Sequence, residues 1–163
     1  MILKFNGVLT VIFLLICTAS RLSAAEFDFS KAVRIGHGPQ TVVEFTDPDC
    51  PHCRKASMYL DGRRDVTRYV FFYPLARHKR AKEKVRYVLS APDRSKAYHE
   101  VMAGRLDAAA ELPYSPEGQA LQEAHLDTAK KHAVQSTPTF LINGRIIIGF
   151  DLKKIEEALG SGK

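Results

Sequence analysis

Residues Thr41 to Ala56 read "TVVEFTDPDCPHCRKA". The β-branched run Thr41–Phe45 predicts a buried strand. A loop containing Pro48 follows. From Pro51 the pattern turns helical, with Ala56, Tyr59 and Leu60 recurring before Asp61–Gly62. Proline suits a helix's first turn, where its missing N–H has no partner to lose. Cys50 and Cys53 therefore sit where a strand hands over to a helix.

Working outward, "VTRYVFFY" (Val66–Tyr73) is near-continuously apolar, as a central parallel strand should be. Strand, helix and strand in close succession make a βαβ unit, right-handed by default. Ala32–Ile35 predicts a short edge strand. Residues 77–135 read as helical throughout. Within them, Ser95–Gly104 offers a capping serine and a terminal glycine, and Ser115–Pro116 opens a helix with its stripe on Leu121, Ala124 and Thr128. "TPTFLINGRIIIGF" (Thr137–Phe150) then places Asn143–Gly144 between two β-branched runs, a strong two-residue hairpin signal. Asp151 is expected to cap a last helix, Leu152–Leu159, ended by Gly160. The order β-α-β, helical block, β-hairpin, α predicts an α/β fold with a mixed central sheet flanked by helices.

At 163 residues, 45% of them hydrophobic, the chain has the length of one domain and ample apolar content for one core. Its first 25 residues read as a cleaved signal peptide. Lys4 supplies the positive start, Val8–Ala19 the apolar run and Ser23–Ala25 the small residues before the cut. That run falls short of the roughly 20 residues needed to span a bilayer. Cys17 leaves with this segment, because Ile16 is too large for a lipoprotein signal. The mature chain, 26–163, is then a single exported domain. Removing Lys4 and Arg21 leaves 22 basic against 18 acidic residues. Six of the basic ones crowd into "RHKRAKEKVR" (Arg77–Arg86), which reads as a solvated helix face and not as a nucleic-acid site.

Export places Cys50 and Cys53 in an oxidising compartment. A disulfide that closes only two intervening residues constrains the unfolded chain very little, so bracing is a poor account of the pair. Zinc normally needs a second pair of ligands at similar spacing, and none exists here. His37, His78, His99, His125 and His132 are read as surface or core residues. Position favours redox chemistry. Cys50 begins a helix, where unpaired N–H groups and the helix dipole favour the thiolate that disulfide exchange requires. Cys53, one turn later and more enclosed, is suited to resolve a mixed disulfide. His52 is placed to stabilise the Cys50 thiolate, and Pro51 stiffens the turn. A copper(I) or zinc carrier using Cys50, Cys53 and His52 is the rival from another class.

C-P-H-C after a strand, with T-P-T-F-L-I-N-G some eighty-five residues later, resembles the thioredoxin superfamily. "VEFTDPDCPHC", "DRSKAYHEVMAGR" (Asp93–Arg105), the Thr137–Pro138 pair and "GF" before the last helix resemble the catalytic domain of DsbC- and DsbG-type periplasmic disulfide isomerases. The resemblance implies a thioredoxin fold with a helical insertion at about 77–135. It also implies a cis Pro138 beside the active-site cysteines, with the Thr137 backbone pairing with bound substrate. Pro51, Thr137 and Pro138 become the substrate-binding set; Cys50, Cys53, His52 and Glu44 become the catalytic set. Glu44 stands where thioredoxin and the oxidase DsbA carry a buried acid, its alternative being a salt-bridged or edge-strand glutamate. An inward Glu44 is expected to have a raised pKa and to act as a base for Cys53.

Three departures qualify the likeness. No dimerisation domain precedes the catalytic segment, which predicts a monomer. The insertion carries no cysteine for a structural disulfide. The proline–histidine dipeptide is that of DsbA, which argues for an oxidising potential. The expected function is disulfide exchange with periplasmic proteins, either as isomerase and reductase or as a DsbA-like oxidase. No metal, flavin or nucleotide is implied. The expected electron partner is a membrane thiol carrier, DsbD-like, or DsbB-like for an oxidase.

Overall fold

The computed structural model describes residues 27–160, so the signal-peptide reading of residues 1–25 lies outside the described residues. The elements are β1 (Val33–Ile35), β2 (Gln40–Thr46), α1 (Pro51–Asp61), β3 (Val66–Phe72), α2 (Ala81–Ser90), α3 (Arg94–Met102), α4 (Pro116–Lys131), β4 (Thr139–Ile142), β5 (Arg145–Ile148) and α5 (Leu152–Leu159). They form a five-stranded sheet in the order β1-β3-β2-β4-β5. β2 and β3 run parallel, and β1, β4 and β5 pair antiparallel to their neighbours. This is the mixed α/β thioredoxin-like fold.

Each strand's alternation divides the core between the two sheet faces. Val42, Phe140 and Ile142 pack against Leu60 of α1 and Ile155 of α5. Val70 and Phe72 meet the insertion through Val85, Val88 and Tyr98. Val43, Phe45 and Phe71 face the other way, toward Ala129 at the end of α4. The hairpin turns at Asn143 (φ 48°) and Gly144 (φ 77°), two consecutive left-handed positions that its short loop requires. Asp151 accepts from the Lys154 N–H as the expected cap of α5.

The insertion differs from the expectation of unbroken helix. α2 ends at Ser90 and α3 begins at Arg94, while residues 103–115 form turns and irregular chain. Pro92 and Pro113 oppose helix in the residues before them, and Asp107 is held by side chains from two other helices. The cap of α3 is Asp93, accepting from the Lys96 N–H, and not Ser95. On α4 the buried line is Gly118, Gln122, His125 and Ala129, offset from the expected Leu121, Ala124 and Thr128. Gly118 is the reason for the close helix contact: a Cβ there would stand 1.9 Å from Ser90 Oγ of α2. The polar members of the line find partners inside. His125, fully buried, accepts the Phe72 N–H on Nδ1 at 2.9 Å and donates from Nε2 to the Lys31 carbonyl at 2.7 Å.

Candidate active site

Cys50 is the N-cap of α1, with extended backbone (φ −82°, ψ 119°). Its carbonyl accepts the Arg54 N–H at 3.1 Å, the first bond of the helix. The backbone N–H groups of His52 and Cys53 are left to face its sulfur. The Thr137 carbonyl lies 3.6 Å from Cys50 Sγ, and the Thr137–Pro138 peptide bond is cis. Pro138 is buried in the loop that enters β4. Both cysteines are thiols, and Cys50 is 3% and Cys53 0% exposed.

Their environments push the two thiols in opposite directions. A hydrogen bond from Cys53 is the main cause that lowers the Cys50 pKa to about 5, with burial opposing it and the two backbone N–H groups assisting. Burial drives the Cys53 pKa far above the ordinary thiol value, and its donation to Cys50 adds to the rise. The pair can therefore hold one proton and one negative charge, with the charge on the sulfur nearer the surface.

The structure places the remaining sequence-derived residues as follows. His52 is exposed on the first turn of α1. With Thr137, Pro138 and Phe150 it borders a groove of about 280 Å³. Pro51 is exposed beside it. A larger hollow of about 530 Å³ lies between Phe45, His132 and Ile146, with no cysteine in its walls. Glu44 points inward and is 0% exposed. It does not stand alone: Arg68 Nη1 approaches its Oε2 at 3.4 Å. Burial nonetheless dominates and raises its pKa, the Arg68 charge only partly offsetting it.

Arg68 is a residue that sequence reasoning passed over. It is 1% exposed and lies in β3, reaching Glu44, Asp61 and, at 3.0 Å, the Tyr98 hydroxyl. A charged residue inside an apolar central strand was itself the signal, because such a residue must be paired. Lys84 corrects the reading of Arg77–Arg86. It is 2% exposed, and its ammonium bonds both Asp49, next to Cys50, and Asp107 of the insertion. Arg54, one residue past Cys53, pairs with Asp107 through two bonds of 2.7 Å and donates to the Pro48 carbonyl at 2.6 Å. Asp47 holds the same loop by accepting from the Leu75 N–H and from His78, at 2.7 and 2.8 Å. Among the described residues no cluster of three or more His, Cys, Asp or Glu side chains is arranged to hold a metal.

A strand-loop-helix carrying two thiols of opposed pKa, closed by a cis-proline loop, is the arrangement of a thioredoxin-type site. The thioredoxin-like domain family matches residues 28–153, and the chain belongs to that family. Solved structures agree. A disulfide interchange protein from Neisseria gonorrhoeae is 28% identical, with 80% of this chain and 94% of that one covered, at a TM-score of 0.67. The catalytic domain of Proteus mirabilis ScsC is 20% identical over 82% and 89%, at 0.68. A thioredoxin-like oxidoreductase from Silicibacter pomeroyi DSS-3 is 24% identical over 80% and 92%, at 0.64. No curated protein matches the chain significantly.

Proposed function

We propose that the chain is a periplasmic thiol–disulfide oxidoreductase of the disulfide isomerase and reductase type, exchanging disulfides with cysteines of other exported proteins. The observation that carries this reading is the split between the two thiols, one lowered to about 5 and the other raised by burial. Cys50, as thiolate, attacks a substrate disulfide and releases one substrate thiolate. Cys53 then loses its proton and attacks Cys50 Sγ, forming the Cys50–Cys53 disulfide and releasing the second substrate thiolate. Two electrons pass from the pair to the substrate, and a membrane thiol carrier restores them. His52 borders the groove where the substrate chain lies, Pro51 is exposed beside it, and the Thr137 backbone pairs with the substrate. Glu44 takes the Cys53 proton. The disulfide interchange name of the Neisseria protein supports the same reaction class.

The low Cys50 pKa favours a second reading in the opposite direction. A thiolate stabilised from about 8.5 to about 5 makes the reduced pair the more stable one, and therefore the disulfide a stronger oxidant. The experiment is the equilibrium potential against glutathione, run beside the redox state of the protein in the periplasm. A reduced protein in vivo supports the isomerase and reductase reading, and an oxidised one the DsbA-like oxidase reading. A protein that does not exchange with glutathione, yet carries stoichiometric copper or zinc when purified, overturns both in favour of a metal carrier.

A further inference from the structure

At the end of β2, the side chains of Glu44 and Thr46 share one face, opposite Val70 and Phe72 of β3. Both residues are 0% exposed. Glu44 Oε1 and Thr46 Oγ1 are buried polar atoms without a hydrogen-bond partner, as is Thr137 Oγ1. A buried hydroxyl left unmet destabilises the fold. Three such atoms around one reacting pair of thiols mark a place where polar contacts change during the reaction.

We infer that the Thr46 hydroxyl relays the proton of Cys53 to Glu44 when Cys53 resolves a mixed disulfide. The relay rests on the redox reading above and names a residue that reading lacks. Cys53 is enclosed, so its proton needs a route that does not begin in bulk water. Cys53 packs with Val70 and Phe72, the β3 residues opposite Glu44 and Thr46, and the side chains that act on it most strongly are those of Cys50, Thr137 and Thr46. Thr46 acts on Glu44 as well, lowering the pKa of both groups as a polar neighbour. Thr137 acts on the two sulfurs, while the groups that act on Glu44 are Arg68, Thr46 and Asp61. Thr46 is thus the shared neighbour of base and thiol. Close to both but bonded to neither, its hydroxyl can turn from one to the other.

The charged and titratable groups around Glu44 are Arg68 from β3, Asp61 from α1 and Tyr98 from α3, which Arg68 joins to it. Cys50 is the one that faces Cys53. Arg68 engages Oε2, which leaves Oε1 as the oxygen that takes the proton. Thr46 gives its hydroxyl proton to Glu44 Oε1 and receives that of Cys53 Sγ. The Cys53 thiolate forms the bond to Cys50 Sγ, the bond from Cys50 to the substrate sulfur breaks, and the electron pair leaves on the substrate thiolate.

The test loads Cys50 with a thionitrobenzoate mixed disulfide and follows chromophore release by Cys53 as a function of pH, in the wild type, Thr46→Val and Thr46→Ser. Thr46→Val keeps the shape and removes the hydroxyl; Thr46→Ser restores it. The expected result is release slowed about tenfold or more in Thr46→Val near neutrality. The wild-type plateau set by Glu44 should give way to a rate that keeps climbing with pH, and Thr46→Ser should recover most of the rate and the plateau. Equal rates and profiles for wild type and Thr46→Val overturn the relay alone. Equal slowing in Thr46→Val and Thr46→Ser also overturns it, since that is the mark of packing. If Cys50 takes up no thionitrobenzoate in any of the three, the redox reading falls and the relay with it.

Discussion

The Thr137 carbonyl and Cys50 Sγ, 3.6 Å apart, join residues separated by 87 positions in the chain. The contact closes the head of α1 against the loop entering β4, both at the same end of the neighbouring antiparallel strands β2 and β4. It gives the thiol an acceptor while Cys50 is protonated. Once Cys50 is a thiolate the same carbonyl has no donor there, and under the proposed function a substrate chain takes its place.

The first prediction is a Cys50 pKa near 5, read from thiolate ultraviolet absorbance with Cys50→Ser as control. The folded value is depressed below the unfolded value of about 8.5. Reduced-state stability from this group is therefore fully present above about pH 8.5 and is lost as pH falls through about 5. The disulfide form has no such thiol, so urea titrations should show the gap between reduced and oxidised protein shifting toward the reduced form as pH rises across that window. A midpoint near 8 would remove the basis of the assignment.

Lys84→Met is the second. The substitution keeps the stem and removes an ammonium held by Asp49 and Asp107. Breaking a buried pair costs about 3–5 kcal/mol, but Asp107 is 45% exposed and Arg54 still pairs with it, so a loss of about 2 kcal/mol is expected. The Asp49 carboxylate beside Cys50, left with only Arg54 at 3.5 Å, should also raise the Cys50 pKa, because like charge disfavours the thiolate. An urea midpoint and a Cys50 titration both unchanged from wild type would show the contact to be inert.

Lys84 also shows where sequence reading stops. β2 and the head of α1 were legible because β-branched periodicity and a proline at the first helical position are local signals. The Asn143–Gly144 turn was legible for the same reason. Lys84 stands among exposed Arg77, Lys79 and Lys82, and nothing local distinguishes it. Its burial depends on Asp49 and Asp107, each more than twenty residues away. The break at 103–115 has a similar cause. "LDAAAE" (Leu106–Glu111) has helix-forming composition, yet Asp107 is drawn out of any helix by Arg54 and Lys84. Of the site, the cysteines and the proline loop were readable by motif. The partner of Glu44 was readable only by asking why an arginine stands inside an apolar strand.

His125 carries the third prediction. Burial lowers its pKa from about 6.5 to about 4, so it stays neutral in the fold while the unfolded chain binds a proton. Stability is therefore lost as pH falls from about 6.5 to about 4, by about 3 kcal/mol. His125→Phe should flatten that part of the profile. At neutral pH it should cost about 2 kcal/mol, because the Phe72 N–H and the Lys31 carbonyl lose their partner. Parallel urea midpoints for wild type and variant between pH 7 and 5 would rule out this origin of acid lability.

Glu44→Gln separates the chemistry of the buried acid from its structural part. The folded pKa of Glu44 is raised, so its contribution is present below the unfolded value and is lost as pH rises through the folded one. Glutamine does not ionise. Wild type should therefore lose stability relative to the variant as pH rises from the unfolded carboxyl value through the raised Glu44 pKa. The variant also deprives Arg68 of a counter-charge, though Asp61 and the Tyr98 hydroxyl remain on it, which limits that loss to about 1 kcal/mol. Resolution of a mixed disulfide at Cys50 should slow about tenfold near neutrality. The Cys50 pKa should change little, since the strongest influences on it are Cys53, burial, the α1 backbone and Thr137. Stopped-flow release of a Cys50-bound chromophore between about pH 5 and pH 9 measures the first effect, and thiolate absorbance the second. Equal release rates across that range would leave Glu44 as the partner of Arg68 and nothing more.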